Sequence, residues 1–246
     1  MPVKNATITD KKRPQETKAP EPAKTGEILD QLLAFDRLMF ETTPSRKPLE
    51  VLIGTDEVGR GCLAGPVVAA AVVLPQIVPG SELAAELALL NDSKMITPDV
   101  REHLSSILKR VSHYAIAEAT VEEIDEINIL QATLLAMRRA VNRLKVKVPA
   151  VLLVDGNKSI PSLRIKQLTV TAGDGKSASI AAASVLAKVH RDQLMCTLAK
   201  AHPEYMWHSN KGYGSRDHRL ALDKLGMTPW HRRTFSYTSI EESSEN

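Results

Sequence analysis

Four carboxylates stand where a short apolar run ends. Asp56 and Glu57 come just after Val51-Leu-Ile-Gly54, Asp155 after Val151-Leu-Leu-Val154, and Asp174 three positions past Leu168-Thr-Val-Thr171. If the runs are strands of one α/β sheet, these acids fall at its carboxyl edge, where such sheets carry their sites. Three or four carboxylates brought together cannot all stay ionised unless cations neutralise them. An all-oxygen donor set suits hard ions, Mg²⁺ or Mn²⁺. Two such ions, ~3.5–4 Å apart in known sites, activate a water and stabilise the leaving oxygen of a phosphodiester. Taken singly, each acid is also ordinary turn chemistry; the expectation is therefore convergence. Strand neighbours point to opposite faces, so Asp56 and Glu57 share a site only if the strand ends or kinks between them. Gly59 and Gly61 would supply that break.

Two glycine patterns compete with this reading. Gly59-Arg-Gly61-Cys-Leu-Ala64 fits a dinucleotide fingerprint. Asp56 and Glu57 just before it would repel a pyrophosphate, however, and Pro66-Val-Val-Ala-Ala-Ala-Val-Val-Leu74 favours a strand where that motif needs a helix. Gly175-Lys-Ser177 ends like a phosphate loop, yet the first glycine of that loop is replaced by Val170.

The elements that must position the acids follow from periodicity and capping. A helix is predicted from a cap at Thr25 to about Met39, with Ile28, Leu32, Phe35 and Met39 on one stripe. Strands are predicted at 51–54, 67–74, 112–119, 151–154 and 168–171. Thr97 before Pro98 opens one helix, and Thr120 with Glu123 forms a capping box for another. Leu130, Leu134, Met137 and Val141 mark strong helical register over 129–144. Ser177 or Ser179 opens an Ala-rich helix to about Ala201, and a last helix runs from Ser215 to Gly226. The fold class is α/β, with one mixed sheet flanked by helices.

Composition bounds the rest. The 246 residues are 43% hydrophobic and 25% charged, enough for a sizeable core and against wholesale disorder. No apolar run reaches the ~18 residues of a membrane span, and no signal segment opens the sequence, so a soluble cytoplasmic protein is expected. Cys62 and Cys196 form no metal-binding or disulfide framework. Residues 1–24 hold six Lys/Arg against three acids, which accounts for the whole net charge of +3. This Pro-rich stretch is expected to be a disordered tail, with 25–236 one domain and 237–246 a flexible acidic end. Residues 188–233 hold nine Lys/Arg, four acids, five of the seven histidines and both tryptophans, a mixture suited to a phosphate backbone and stacking surfaces.

The ordered motifs resemble ribonuclease HII. They are Asp56-Glu-Val-Gly-Arg-Gly61, Leu63-Ala-Gly-Pro-Val67, Asn91-Asp-Ser-Lys94, Ile124-Asp-Glu-Ile-Asn128, Val154-Asp-Gly-Asn157, Ala172-Gly-Asp174, Ser179 to Lys188, Lys211-Gly-Tyr213-Gly and His231-Arg-Arg-Thr-Phe235. The resemblance implies an RNase H-like fold with a five-stranded sheet and additional C-terminal helices. It implies an endoribonuclease that cuts RNA/DNA hybrids and single ribonucleotides in duplex DNA, on the 5′ side, leaving 3′-hydroxyl and 5′-phosphate ends. It assigns Asp56, Glu57, Asp155 and Asp174 to Mg²⁺ or Mn²⁺. By the same resemblance, Gly59-Arg60-Gly61 reads the ribose 2′-hydroxyl, which is what separates RNA from DNA. Tyr213 packs on the adjacent deoxyribose, and Lys94 and Lys188 contact phosphates, with Arg232 and Arg233 as further contact candidates. His231 is read as a phosphate-contact or helix-end histidine, with general acid as the alternative. A monomer acting on RNA/DNA hybrid and ribonucleotide-containing duplex DNA, with no membrane partner, is expected. The competing functions are a nuclease or strand-transfer enzyme acting on DNA and a hybrid-binding module without catalysis.

Overall fold

The computed structural model describes residues 22–45 and 47–240. In chain order the elements are α1 (Pro22–Thr42), β1 (Val51–Val58), β2 (Val67–Val73), α2 (Glu82–Glu86), α3 (Pro98–Val111), β3 (His113–Ala119) and α4 (Val121–Arg143). There follow β4 (Ala150–Asp155), β5 (Lys166–Val170), α5 (Ala178–Ala201), α6 (Trp207–Asn210) and α7 (Arg216–Leu225). The strands form one mixed sheet in the order β3-β2-β1-β4-β5. β1, β2 and β3 pair antiparallel, while β4 and β5 run parallel to β1.

Alternation along β2 builds both layers. Val68, Ala70 and Val72 face α1, α3 and α5, whereas Val67, Ala69 and Ala71 face α4. A strand buried on both faces reads as an unbroken apolar run, and its alanines let helices approach closely. The contact is tightest at Gly54, where a Cβ would lie 2.2 Å from the carbonyl carbon of Ser179. The base of α5 is therefore pinned against the strand that carries Asp56 and Glu57.

Local signals place most helix starts. Thr97 and Ser177 accept from the backbone amides three residues on, and both halves of the Thr120–Glu123 capping box form. Ser215 and Gly226 bound α7 as expected. α1 begins at Pro22, not at a Thr25 cap, so residues 22–24 are helical; the rest of the expected tail lies outside the described residues. α4 is broken at Asn128 (φ 66°, ψ 163°), whose side chain accepts from the amides of Leu130 and Gln131 and so caps the helix a second time. At the other end, residues 237–240 are docked rather than loose: Asp223 of α7 accepts from the Ser239 hydroxyl and the Ile240 amide. Among the described residues, no helix is long and apolar enough to cross a membrane.

Candidate active site

The two central parallel strands deliver the acids. Pairing of β1 with β4 stops at Thr55 and Val154, one residue before Asp56 and Asp155, so the strands part where the carboxylates begin. β1 itself does not end there. Its pairing with β2 continues through Glu57 and Val58, which corrects the expectation of a break between the two acids. They still converge, because beyond Thr55 β1 has no neighbour on its β4 side. The Glu57 amide donates to Asp56 Oδ1 at 2.7 Å. One oxygen each from Asp56, Glu57 and Asp155 lies within 4.8 Å of the other two.

Asp174 stands outside this triplet, on the turn after β5. It is joined to the site by Lys94, whose Nζ donates to Asp174 Oδ2 at 3.1 Å. The neighbouring Gly173 amide donates to Asp155 Oδ1 at 2.7 Å, so the turn that carries Asp174 also aims Asp155. Its nearness is felt electrostatically, since the Asp174 charge helps to raise the Asp155 pKa.

Burial and mutual repulsion dominate the electrostatics. Burial, with the charges of Glu57 and Asp155, pushes the Asp56 carboxyl well above the usual range; the Ser184 hydroxyl partly opposes the shift. Glu57 is raised by burial and by Asp155, against the pull of Arg60, whose Nη1 lies 3.3 Å from Glu57 Oε1. Asp155 is raised by burial first and Asp174 second. Burial alone would lower Lys94, but its bond to Asp174 and the surrounding acids hold it up. Three mutually repelling oxygen donors make the donor set of a hard divalent ion. The residues present therefore fit Mg²⁺ or Mn²⁺.

Around the triplet runs a groove of about 270 Å³. It is lined by Gly59, Arg60, Gly61, Lys94, Lys188 and Tyr213, which brings these six expected substrate-contact residues to the same opening as the acids; Arg232, Arg233 and His231 do not line it. Ser93 and Ser184 also line it, their hydroxyls 2.9 Å apart. Both lie within motifs of the resemblance, Asn91-Asp-Ser-Lys94 and Ser179 to Lys188, but neither is assigned a role there, because a serine carries no charge or ligand preference that would mark it. Lys188 Nζ is paired to Asp192 at 2.7 Å. Tyr213 is 43% exposed, and its hydroxyl bonds to Cys62. A larger depression of about 500 Å³ lies at the opposite end of β1 and β4 and has no carboxylate in its lining.

The C-terminal basic window is rearranged relative to expectation. Arg232 and His231 are fully buried, so neither is a phosphate contact, and His231 is no general acid. His231 bonds through Nε2 to His218 Nε2 at 3.0 Å, and its Nδ1 accepts from the Thr228 amide. His218 Nδ1 donates to the Tyr213 carbonyl at 2.9 Å, and its Nε2 accepts from Trp207 at 3.0 Å. Burial and the His218 ring push His231 down to about 4, so both rings are neutral near pH 7. Tyr205 and Trp207 stack on one another inside this cluster and cannot serve as open platforms. The Arg233 amide is bonded to Asp125.

A family profile described as Ribonuclease HII matches residues 53–238. A ribonuclease HII of Cytophaga hutchinsonii is 50% identical over 185 residues, covering 75% of this chain and 88% of the relative. One from Pelagibacter ubique is 47% identical over 189 residues, covering 76% and 97%. Among solved structures, the ribonuclease H2 of Pyrococcus horikoshii superposes with a TM-score of 0.60 at 26% identity, covering 76% of this chain and 94% of that one.

Proposed function

The chain belongs to the ribonuclease HII family, metal-dependent ribonucleases H of RNase H-like fold, and from that premise we propose that it nicks duplex DNA on the 5′ side of an embedded ribonucleotide as well as cutting RNA/DNA hybrids. The products are 3′-hydroxyl and 5′-phosphate ends. The observation that carries the reading is the meeting of Asp56, Glu57 and Asp155 within 4.8 Å at the floor of a groove rimmed by lysines and a half-exposed tyrosine.

Asp56, Glu57 and Asp155 hold divalent cations, with Asp174 as the fourth acid of the set. Cations bound there supply activation of a water and neutralisation of charge on the leaving oxygen. Lys94 and Lys188, which line the groove and are paired to Asp174 and Asp192, hold phosphates flanking the cut. Backbone amides of Gly59-Arg60-Gly61 read the 2′-hydroxyl, since bare glycine backbone approaches a sugar closely. Tyr213, half-exposed at the groove, packs on the next deoxyribose. Residues 25–236 act as one catalytic domain, as a monomer in the cytoplasm, with Mg²⁺ or Mn²⁺ as the cofactor.

The test is a labelled DNA duplex carrying one ribonucleotide, incubated with Mg²⁺, Mn²⁺ or chelator, beside the all-DNA duplex and a full hybrid. A metal-dependent nick 5′ to the ribonucleotide is expected, with the all-DNA duplex intact. Equal cutting of both duplexes would move the enzyme to DNA chemistry. Binding with no nick in either metal would leave a non-catalytic hybrid-binding module.

A further inference from the structure

Arg232 is 0% exposed, and no carboxylate lies within ion-pair distance of it among the described residues. Its charge is met by backbone carbonyls instead. Nε donates to Gly65 O at 3.0 Å, Nη1 to Arg60 O at 2.8 Å, and Nη2 to Gly59 O at 2.6 Å and to Gly65 O at 2.8 Å. The Phe235 ring sits 5.0 Å from the guanidinium carbon. Arg191, equally buried, repeats the pattern on the next stretch, bonding Pro66 O, Ala64 O and Lys211 O. Buried carbonyls outside a helix or strand need such partners, and a planar fork with five fixed donors can serve several at once.

A trans peptide plane points its C=O and its N–H in opposite directions. With the Gly59 and Arg60 carbonyls drawn inward to Arg232, the amides that share those planes, of Arg60 and Gly61, point away from it. Among the described residues neither amide has a hydrogen-bond partner, and both residues line the groove. Gly59 cannot be replaced in this arrangement, since its φ is +92° and a Cβ would meet Arg191 Nε at 2.1 Å.

We infer that Arg232 is a positioning residue for ribose selectivity: it holds two carbonyls inward so that the Arg60 and Gly61 amides face the groove as a pair of donors for a 2′-hydroxyl oxygen. The inference rests on the proposed recognition of ribonucleotides and adds the residue, remote from substrate, that sets it.

The experiment compares affinity for a single-ribonucleotide duplex and the matching all-DNA duplex by fluorescence anisotropy in Mg²⁺, in an Asp155→Asn background that does not turn over. Arg232→Lys keeps the charge but loses the fork. The ribo-to-deoxy affinity ratio is expected to fall about tenfold, the worth of two hydrogen bonds of ~0.5–1.5 kcal/mol each, while all-DNA affinity is unchanged. A purely structural role would lower thermal stability or both affinities together and leave the ratio alone; an unchanged ratio overturns the inference. If the Asp155→Asn protein itself shows no preference for the ribonucleotide, the proposed function fails instead. Should Arg232→Lys not fold, hydrogen exchange in the Asp155→Asn protein decides. The Arg60 and Gly61 amides are expected to gain protection with the ribonucleotide duplex alone, and equal protection by both duplexes, or none, overturns the inference.

Discussion

Asp155→Asn should make the metal-free protein more stable while it removes activity. The three carboxylate oxygens lie within 4.8 Å of one another, so each ionised pair repels by about 3.5 kcal/mol at an effective dielectric of ~20. Asp155 takes part in two of the three pairs. Burial and repulsion have already raised the pKa of all three acids, and partial protonation relieves much of that energy. The gain left for Asn is therefore about 1–3 kcal/mol, or ~2–10 °C in Tm for a chain of this size. Asn retains the Oδ1 that accepts from the Gly173 amide, so the fold loses no contact there. Urea denaturation at pH 8 in chelator measures the gain, and thermal shift with added Mn²⁺ measures the binding. Wild type should be stabilised by the metal, the variant far less, and nicking should drop at least a hundredfold. A variant that is destabilised in chelator, or that keeps the full Mn²⁺ shift and near-normal turnover, would refute the argument that repulsion at this site is held in reserve for a cation.

Three further outcomes follow from particular contacts. His231 is held neutral, with a folded pKa of about 4 against ~6.5 unfolded. Its contribution is complete above pH 6.5 and is lost as pH falls towards 4, about 2.5 kcal/mol being gone at pH 4.5. Urea midpoints at pH 7.5 and 4.5 should therefore diverge between wild type and His231→Gln, and parallel losses would sink the assignment. Gly54→Ala places a Cβ 2.2 Å from the Ser179 backbone; displacing α5 should cost about 1–3 kcal/mol or more by chemical denaturation, and an unchanged midpoint would show that the helix yields freely. Tyr213→Ala should lose about 1–3 kcal/mol of substrate stacking in kcat/KM with little change in Tm. Tyr213→Phe should stay near wild type, because the hydroxyl is spent on Cys62; equal losses in the two variants would argue against a stacking role.

The legible part of this protein was whatever is written locally. Apolar runs ending in acids marked the three strand ends, and Thr97, Thr120, Ser177 and Ser215 announced their helices because a cap needs only a side-chain oxygen and an amide three residues on. The strand after Gly59-Arg60-Gly61 likewise excluded a dinucleotide helix. Boundaries drifted where partners lie far away. β1 runs past Glu57 only because β2 pairs with it, and the base of α5 is held by Asp36 of α1, whose carboxylate accepts from the Ser179 amide and hydroxyl. Neither contact leaves a mark at short spacing.

Residue identity by itself settled which oxygens are available for a hard cation, since Asp and Glu side chains carry that chemistry wherever they fall. Tertiary structure decided which of them meet: Asp56, Glu57 and Asp155 do, and Asp174 joins through Lys94. It also decided the fate of the basic window, because charge and aromaticity look alike in a string whether they face water or a core. Arg232, His231 and Trp207 went inside, where long-range packing gave their polar atoms partners in the protein. Burial is a property of distant neighbours, and only folding brings those neighbours together.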